Sequence, residues 1–494
     1  MPVPLRVLER PPSLPDGEEK KEKCGVFGIW GTHQPDQPDA AAQVTFAGLY
    51  AQQHRGQESA GIAVTDGHDL MGHAAMGLVN QVFKPDLLKQ MHGHAAVGHV
   101  RYSTTGSSQV CNAQPLLQRF HLGPVAIAHN GNLINASRLR REYEEEGAIF
   151  QTSTDTEVIV HMLARPRHAA KADPLAHVLQ HLQGAFSLVF LFPDRIEAAR
   201  DPLGIRPMSL GQLPTGEYVV ASETCAFDAI NAAFVRDIEP GEIVTLDDRG
   251  VTSRRYDSPD RVRARCAFEH VYFANPASVL WGRNVHRVRE TMGRRLAQEA
   301  PAPEADCVMP MPDSGRSAAL GFAKESTLPF EEAIVPNRFV GRTFILPSQG
   351  DRDRMVSLKL NIIGELIKDR EIVVVDDSIV RGTTTLSKMR ALRRAGARKI
   401  HLRISCPPIR HPCYYGIDFA DNKQLIATGK TQDEIADALE VDSLHYLSLE
   451  GMLDAAGLSE QNACTACWTG EYRVPVDETY GKFSFERRQL KMFS

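Results

Sequence analysis

No stretch of this sequence reaches the roughly 18 consecutive apolar residues that a membrane-spanning helix needs, and its opening, MPVPLRVLERPPSLPDGEEKKEK, lacks the apolar core of a secretory signal. Both absences point to a cytoplasmic protein. A surplus of either charge is missing too: the formal net charge is -5 over 494 residues, which gives no reason to expect nucleic acid or a membrane surface as a partner. Cysteine is scarce, nine in the chain. That is too few for a disulfide scaffold and leaves metal binding or catalysis for any that gather. Repeats are absent, and low complexity is confined to the start. What remains is a globular protein whose partners are small molecules and copies of itself.

The length exceeds what one hydrophobic core normally serves, so two domains are expected. Residues 1–23 are polar, charged and proline-rich, and read as a detachable leader. From Cys24 onward short apolar runs are broken by glycine: CGVFGIWG, SAGIAV, AAVGHVRYST, PVAIAHNGNL and FSLVFLF. That punctuation predicts stacked strands with few long helices. A different rhythm starts near Arg261, where the strand-like ADCVMPMP, EIVVVDD and RKIHLRIS alternate with helical stretches such as LSKMRALRRAGA. Such alternation predicts a parallel α/β sheet, with a boundary around 253–262.

Cys24 stands at the threshold of an apolar strand. By itself it is a cysteine starting a buried strand. It becomes a nucleophile if it is the mature N-terminus, because an α-amino group of pKa about 7.7–8.0 can take its proton at neutral pH. Four further segments, QHRGQESAGIA (53–63), GHVRYSTTG (98–106), AHNGNL (128–133) and STDTE (153–157), follow in an order that resembles the N-terminal-nucleophile glutamine amidotransferases. The resemblance implies Cys24 as nucleophile, with a thioester on the way to glutamate and ammonia. It gives Arg101 a bidentate fork for the α-carboxylate of glutamine, Asp155 a pairing with its ammonium, and Asn130 with the Gly131 amide the oxyanion. His54, Arg55, Gly56 and Gln57 are assigned to shaping the pocket. Without that resemblance Arg101 is a surface ion pair, Asn130-Gly131 a hairpin turn and Asp155 a helix cap.

EIVVVDDSIVRGTTTLSKM (371–389) runs from an apolar strand through two acids into a Gly/Thr loop that opens a helix. Ligands of open parallel sheets collect there, beyond the strand ends, where a helix N-terminus can hold phosphate. The motif looks like the phosphoribosyl pyrophosphate fingerprint of type I phosphoribosyltransferases. It implies that Arg381, Gly382, Thr383 and Thr384 cradle the 5-phosphate, while Asp376 and Asp377 accept the ribose hydroxyls or contact Mg2+. The plain alternative is that the acids cap the helix. VMPMPDSGRSAA (308–319) falls where that family holds pyrophosphate, with Ser314 at its magnesium-associated hydroxyl. In NRFVGRTFILPSQGDRDRMVSLKL (337–360), otherwise a solvated loop, Arg338 and Arg342 match a closing loop that meets pyrophosphate, and Phe339 replaces the tyrosine common there.

Cys464 and Cys467 form a C-x-x-C pair, and Cys266 and Cys413 would complete four thiolates, suited to zinc or an iron-sulfur cluster. Cys111, Cys225, Cys307 and Cys406 are expected as buried packing residues. Taken together, Cys24 to about Tyr472 resembles the glutamine phosphoribosylpyrophosphate amidotransferases, in particular those with a leader peptide and a 4Fe-4S cluster, although FANPAS departs from their FARPDS. The implied architecture is a propeptide (1–23), an α+β N-terminal-nucleophile glutaminase domain of stacked antiparallel sheets with flanking helices (24–255), and an α/β phosphoribosyltransferase domain with a parallel sheet and a C-terminal cluster-binding segment (256–494). The implied reaction makes 5-phosphoribosylamine, glutamate and pyrophosphate from glutamine, phosphoribosyl pyrophosphate and water, the first committed step of purine synthesis. Mg2+, a 4Fe-4S cluster, purine-nucleotide feedback and a homotetramer accompany it. Because ammonia is protonated in bulk water, an apolar tunnel is expected between Cys24 and the Asp376 region. Two other readings remain: a different amidotransferase, such as one making an amino sugar, and a phosphoribosyl-binding regulator without turnover.

Overall fold

The structure, a computed structural model, describes residues 24–32, 36–102, 109–337, 360–417 and 424–476. The leader and the segment with Arg338, Phe339 and Arg342 lie outside them. The first half is built on two antiparallel sheets. One has seven strands, with Gly25–Trp30 in its interior between Tyr218–Ala221 and Ala95–Arg101. The other has six, with Gly123–Leu133 paired to Gly184–Phe192.

The period-two alternation of these strands decides what meets what. Val26 and Trp30 share a core with Ala126, Ala128, Val189 and Ile196 of the other sheet. Phe27 and Ile29 face away from it, into a second core with Ala41, Ala42 and Leu49 of helix Ala40–Ala51. Cys24 has the parity of Val26, and Asn130 that of Ala126 and Ala128. Each therefore continues a row directed between the sheets.

In the second half Cys307–Pro310, Glu371–Asp376, Lys399–Ile404 and Ser443–Tyr446 form a parallel sheet in that order. The unbroken Ile372–Val375 run, wholly buried, belongs to a strand covered on both faces. Helix Thr383–Arg394 begins in the Gly/Thr loop, where Gly382 at φ +82° turns the chain directly into it. Arg265–Cys266 pairs in parallel with Ala463–Cys464 and ties the entrance of this half to its C-terminal part. The expected class, stacked antiparallel sheets followed by a parallel α/β sheet, is the one observed.

Helices Val285–Glu299 and Arg316–Ser326 touch through glycine. A Cβ on Gly293 would sit 1.8 Å from the Ala318 carbonyl oxygen, and one on Gly321 would sit 1.9 Å from that of Glu290. The second of these helices follows the Ser314 turn, so their spacing sets where that turn lies. Gly293→Ala should destabilise the protein by about 1–3 kcal/mol through overpacking, seen as a lower denaturant midpoint at unchanged slope; an unchanged midpoint would contradict the close crossing.

Candidate active sites

Cys24 immediately precedes its strand and is 7% exposed. Its Sγ donates to the Tyr102 carbonyl at 3.5 Å. Asn130 is reached across the gap between the sheets: the Ser222 hydroxyl accepts both Asn130 Nδ2 at 3.2 Å and the Val26 amide at 3.0 Å. Asn130 and Gly131 lie inside the strand Gly123–Leu133 and not in a hairpin turn. Only glycine fits at 131, since its φ is +152° and a Cβ would stand 2.0 Å from the Ala185 carbonyl oxygen.

Arg101 is 3% exposed, so it is no surface ion pair, and its Nη1 meets Glu58 Oε1 at 2.8 Å. Gly56 brings the QHRG turn against it; a Cβ there would lie 2.6 Å from the Arg101 nitrogen. Asp155 does not cap the helix Glu157–Ala164, whose N-cap makes no side-chain bond. Instead its Oδ2 accepts the Leu133 amide at 2.8 Å, and Oδ1 lies 3.6 Å from His129 Nδ1. Burial works against its ionisation, but His129, the Leu133 amide and Thr156 outweigh burial and keep the carboxyl below its usual range. Burial pushes the Cys24 thiol up to about 11; Arg101 opposes this, and Glu58 and Asp155 add to it. A thiol so placed is protonated at neutral pH and needs a base.

Behind Cys24 runs a chain of buried charges. Arg55 Nε donates to the Cys24 carbonyl at 3.0 Å, while its guanidinium engages Glu223 on one side and Glu269 at 3.0 Å on the other. Glu269 Oε1 also meets Arg206 Nη1 at 3.4 Å, and all four side chains are fully buried. Arg206 in turn approaches Cys266 Sγ at 3.9 Å and donates to the Tyr415 carbonyl.

In the second half Asp376 and Asp377 are buried at the end of Glu371–Asp376, the Asp377 amide donating to Asp376 Oδ1 at 2.8 Å. The N-cap of the following helix is Gly382 in the left-handed region, five residues beyond Asp377. The Ser314 turn is brought to them by Gly315, where a Cβ would lie 2.4 Å from the Val375 carbonyl oxygen and 3.2 Å from Asp376 Cα. A cavity of ≈ 400 Å³ lies beside Arg381, Gly382 and Thr383, and one of ≈ 560 Å³ beside Asp313 and Arg316.

The four suspected ligand cysteines also converge. Cys266 is the strand partner of Cys464, and burial pushes the thiols of Cys464 and Cys467 up, with Cys266 and Cys413 adding to it. Among the described residues no three of these sulfurs lie within 4.8 Å of one another. The group that meets this spacing is His54, Glu223 and Cys225. There, however, the Glu223 oxygens are taken by Arg55, His54, Ser278 Oγ and the Asn275 amide, and the adjoining guanidinium repels a cation. Cys225, Cys307 and Cys406 are buried as expected, but Cys111 is exposed; it sits in a short turn, Val110–Asn112, on the surface.

A glutamine amidotransferase domain model matches residues 99–229. The chain is 46% identical over 472 residues to the amidophosphoribosyltransferase of Methanothermobacter thermautotrophicus, covering 95% of this chain and 98% of that one. It is 44% identical to the Bacillus subtilis amidophosphoribosyltransferase over 92% of this chain and 95% of that one. The chain belongs to the amidophosphoribosyltransferase family. A solved structure described as glutamine phosphoribosylpyrophosphate amidotransferase from B. subtilis complexed with ADP and GMP superposes with TM-score 0.86 at 43% identity, covering 92% of this chain and 98% of that one.

Within this amidophosphoribosyltransferase fold, sequence reasoning missed Glu58, Ser222, Glu223 and Glu269. Glu58 was within reach, because it lies inside the QHRGQESAGIA segment. The other three have no local signature. With residue 23 still attached, Cys24 should react with iodoacetamide at pH 7 about a hundredfold slower than an unperturbed thiol of pKa about 8.5–9, and its rate should rise tenfold per pH unit up to about 11. Peptide-level mass spectrometry reads the rate; a plateau below pH 9 would contradict the burial account.

Proposed function

We propose that this amidophosphoribosyltransferase frees ammonia from glutamine at Cys24 and adds it to phosphoribosyl pyrophosphate bound over Asp376–Thr384, giving 5-phosphoribosylamine, glutamate and pyrophosphate. The observation that carries this reading is the cross-sheet bond system Asn130–Ser222–Val26 beside a buried thiol, in one chain with an acid pair that opens onto a helix N-terminus.

In the first half a free Cys24 amine, available once residues 1–23 are removed, takes the thiol proton, and the thiolate attacks the glutamine amide carbon. Asn130 Oδ1 is buried without a partner. Turning that amide by 180° lets Ser222 donate to Oδ1 while still accepting the Val26 amide, which leaves Nδ2 and the Gly131 amide for the oxyanion. As the intermediate collapses, the ammonium of Cys24 returns its proton to the departing nitrogen, and water then hydrolyses the thioester to glutamate. Arg101 holds the glutamine carboxylate, with Glu58 orienting its guanidinium, and Asp155 is the partner for the ammonium.

In the second half the amides after Gly382, together with Arg381, Thr383 and Thr384, receive the 5-phosphate, and Asp376 and Asp377 accept the ribose hydroxyls. The hard oxygen donors of Asp376, Asp377 and Ser314 fit Mg2+, which would neutralise pyrophosphate as it leaves. Arg338 and Arg342 complete the pyrophosphate contacts in this reading. Ammonia attacks C1 of the ribose, the C–O bond to pyrophosphate breaks with its electron pair, and the new amine loses a proton. An apolar passage between the sites keeps ammonia unprotonated.

The thiol set of Cys266, Cys413, Cys464 and Cys467 has the donor chemistry of a 4Fe-4S cluster, and the buried Cys266–Cys464 strand pairing brings two of its members side by side. When bound, the cluster would cross-link the segments that carry these cysteines and make that link oxygen-sensitive. The ADP and GMP of the solved relative support nucleotide feedback here, and homotetramer assembly in the cytoplasm completes the reading.

Cys24→Ala should lower glutamine-dependent product formation by about 10⁴-fold or more while leaving the ammonia-supported rate intact; equal glutamine-dependent rates in variant and wild type would remove the mechanism. Anaerobically purified wild type should carry iron and acid-labile sulfide in equal amounts and begin at Cys24. Zinc without sulfide would overturn the cluster, and full activity with Met1 attached would overturn the choice of base.

A further inference from the structure

The strand end that bears Asn130 and Gly131 is braced from the second half of the chain. The next residue, Asn132, donates through Nδ2 to the Tyr414 carbonyl at 2.8 Å, a contact spanning 282 residues. Gly416, at φ +100°, presses on the same strand: a Cβ there would come 3.0 Å from both the carbonyl carbon and the carbonyl oxygen of Gly131. Alanine at 416 would be strained by its backbone and would also push on the Gly131 backbone.

The bracing segment is itself anchored. The Tyr415 amide donates to Cys413 Sγ at 3.4 Å, and the Tyr415 hydroxyl donates to the Val474 carbonyl at 2.9 Å. Arg206 holds the Tyr415 carbonyl while also engaging Glu269, the carboxylate that grips Arg55 behind Cys24. Cys24 and the strand end facing it are thus referred to one buried framework, to which the second half contributes Glu269 and the Tyr415 carbonyl.

We propose that the Tyr414–Gly416 backbone is the positioning strut of the oxyanion donors, so that amide hydrolysis, and not the transfer of ammonia to the sugar, depends on its contact with Asn132 and Gly131. A glycine has no side chain with which to lock its own amide, and a displacement of about 1 Å at such a donor costs on the order of a hundredfold in rate. The placement of Gly131 therefore comes from what packs against it. The inference rests on reading Asn130 and Gly131 as the oxyanion donors.

The test compares wild type, Asn130→Ala, Asn132→Asp and Gly416→Ala in glutamine hydrolysis and in ammonia-supported phosphoribosylamine formation. Asn132→Asp keeps the shape of the side chain but loses the donor. It also sets a carboxylate oxygen against the Tyr414 carbonyl, so kcat for glutamine should fall at least about tenfold, with KM for glutamine and the ammonia-supported rate unchanged. Gly416→Ala should lower kcat further with the same split; if that variant is insoluble, Asn132→Asp decides alone. Full glutaminase activity in Asn132→Asp, or parallel loss of both activities, would overturn the strut. If Asn130→Ala retains full glutaminase activity, the oxyanion assignment fails and the strut with it. An impaired Asn130→Ala beside an unimpaired Asn132→Asp sinks the strut alone.

Discussion

The alternation of buried charges Glu223, Arg55, Glu269, Arg206 is the constraint on which the rest of the molecule depends. None of the four side chains has any solvent exposure. Burial acts to discharge Arg55, yet Glu269 and Glu223 more than offset it and hold the guanidinium protonated; burial likewise opposes ionisation of Glu223, and His54 and Arg55 drive its pKa well down. Such a chain adds little net stability over apolar packing, but leaving one member unpaired costs about 3–5 kcal/mol. Its value is geometric. Glu223 follows a strand of the seven-stranded sheet, whereas Glu269 lies beyond both sheets on the way to the parallel one, so the halves cannot shift without stranding a charge.

That constraint reaches both chemistries. Arg55 fixes the Cys24 carbonyl, which sets where the thiol stands relative to Asn130. Toward the other site, buried Arg289 donates to the His270 and Ala274 carbonyls at 2.7 and 2.8 Å. Burial lowers its pKa to about 10, against the pull of Asp377, Glu223 and Glu269. Arg289 thus lies within the electrostatic reach of Asp377 in the second half and of Glu223 and Glu269 in the charge chain.

What could be read in the sequence was what is contiguous in it. EIVVVDDSIVRGTTT announces strand, acids and helix start because the three are adjacent, and the structure puts the acids at the strand end as that reading requires. AHNGNL and QHRGQESAGIA were legible for the same reason. The C-x-x-C pair Cys464 and Cys467 is visible in its spacing, while grouping Cys266 and Cys413 with it needed a family pattern. Ser222, Glu223, Glu269 and Gly416 were not legible: Arg55 meets its two carboxylates across 168 and 214 residues, and a single acid in SETCAF or AFEHV carries no local signal. Asp155 was named as a ligand of glutamine without foresight of its bond to the Leu133 amide, since only tertiary structure brings that strand beside it. Cys111 was misjudged because burial follows from the fold and not from residue type.

Calorimetry of Glu269→Gln beside wild type tests the central claim most directly. If Glu269 joins the halves as described, wild type should unfold in one cooperative transition and the variant in two, the first shifted down by the several kcal/mol that an orphaned Arg55 and Arg206 impose. A variant that still melts in one transition at the wild-type temperature would show that the charge chain does not hold the halves together.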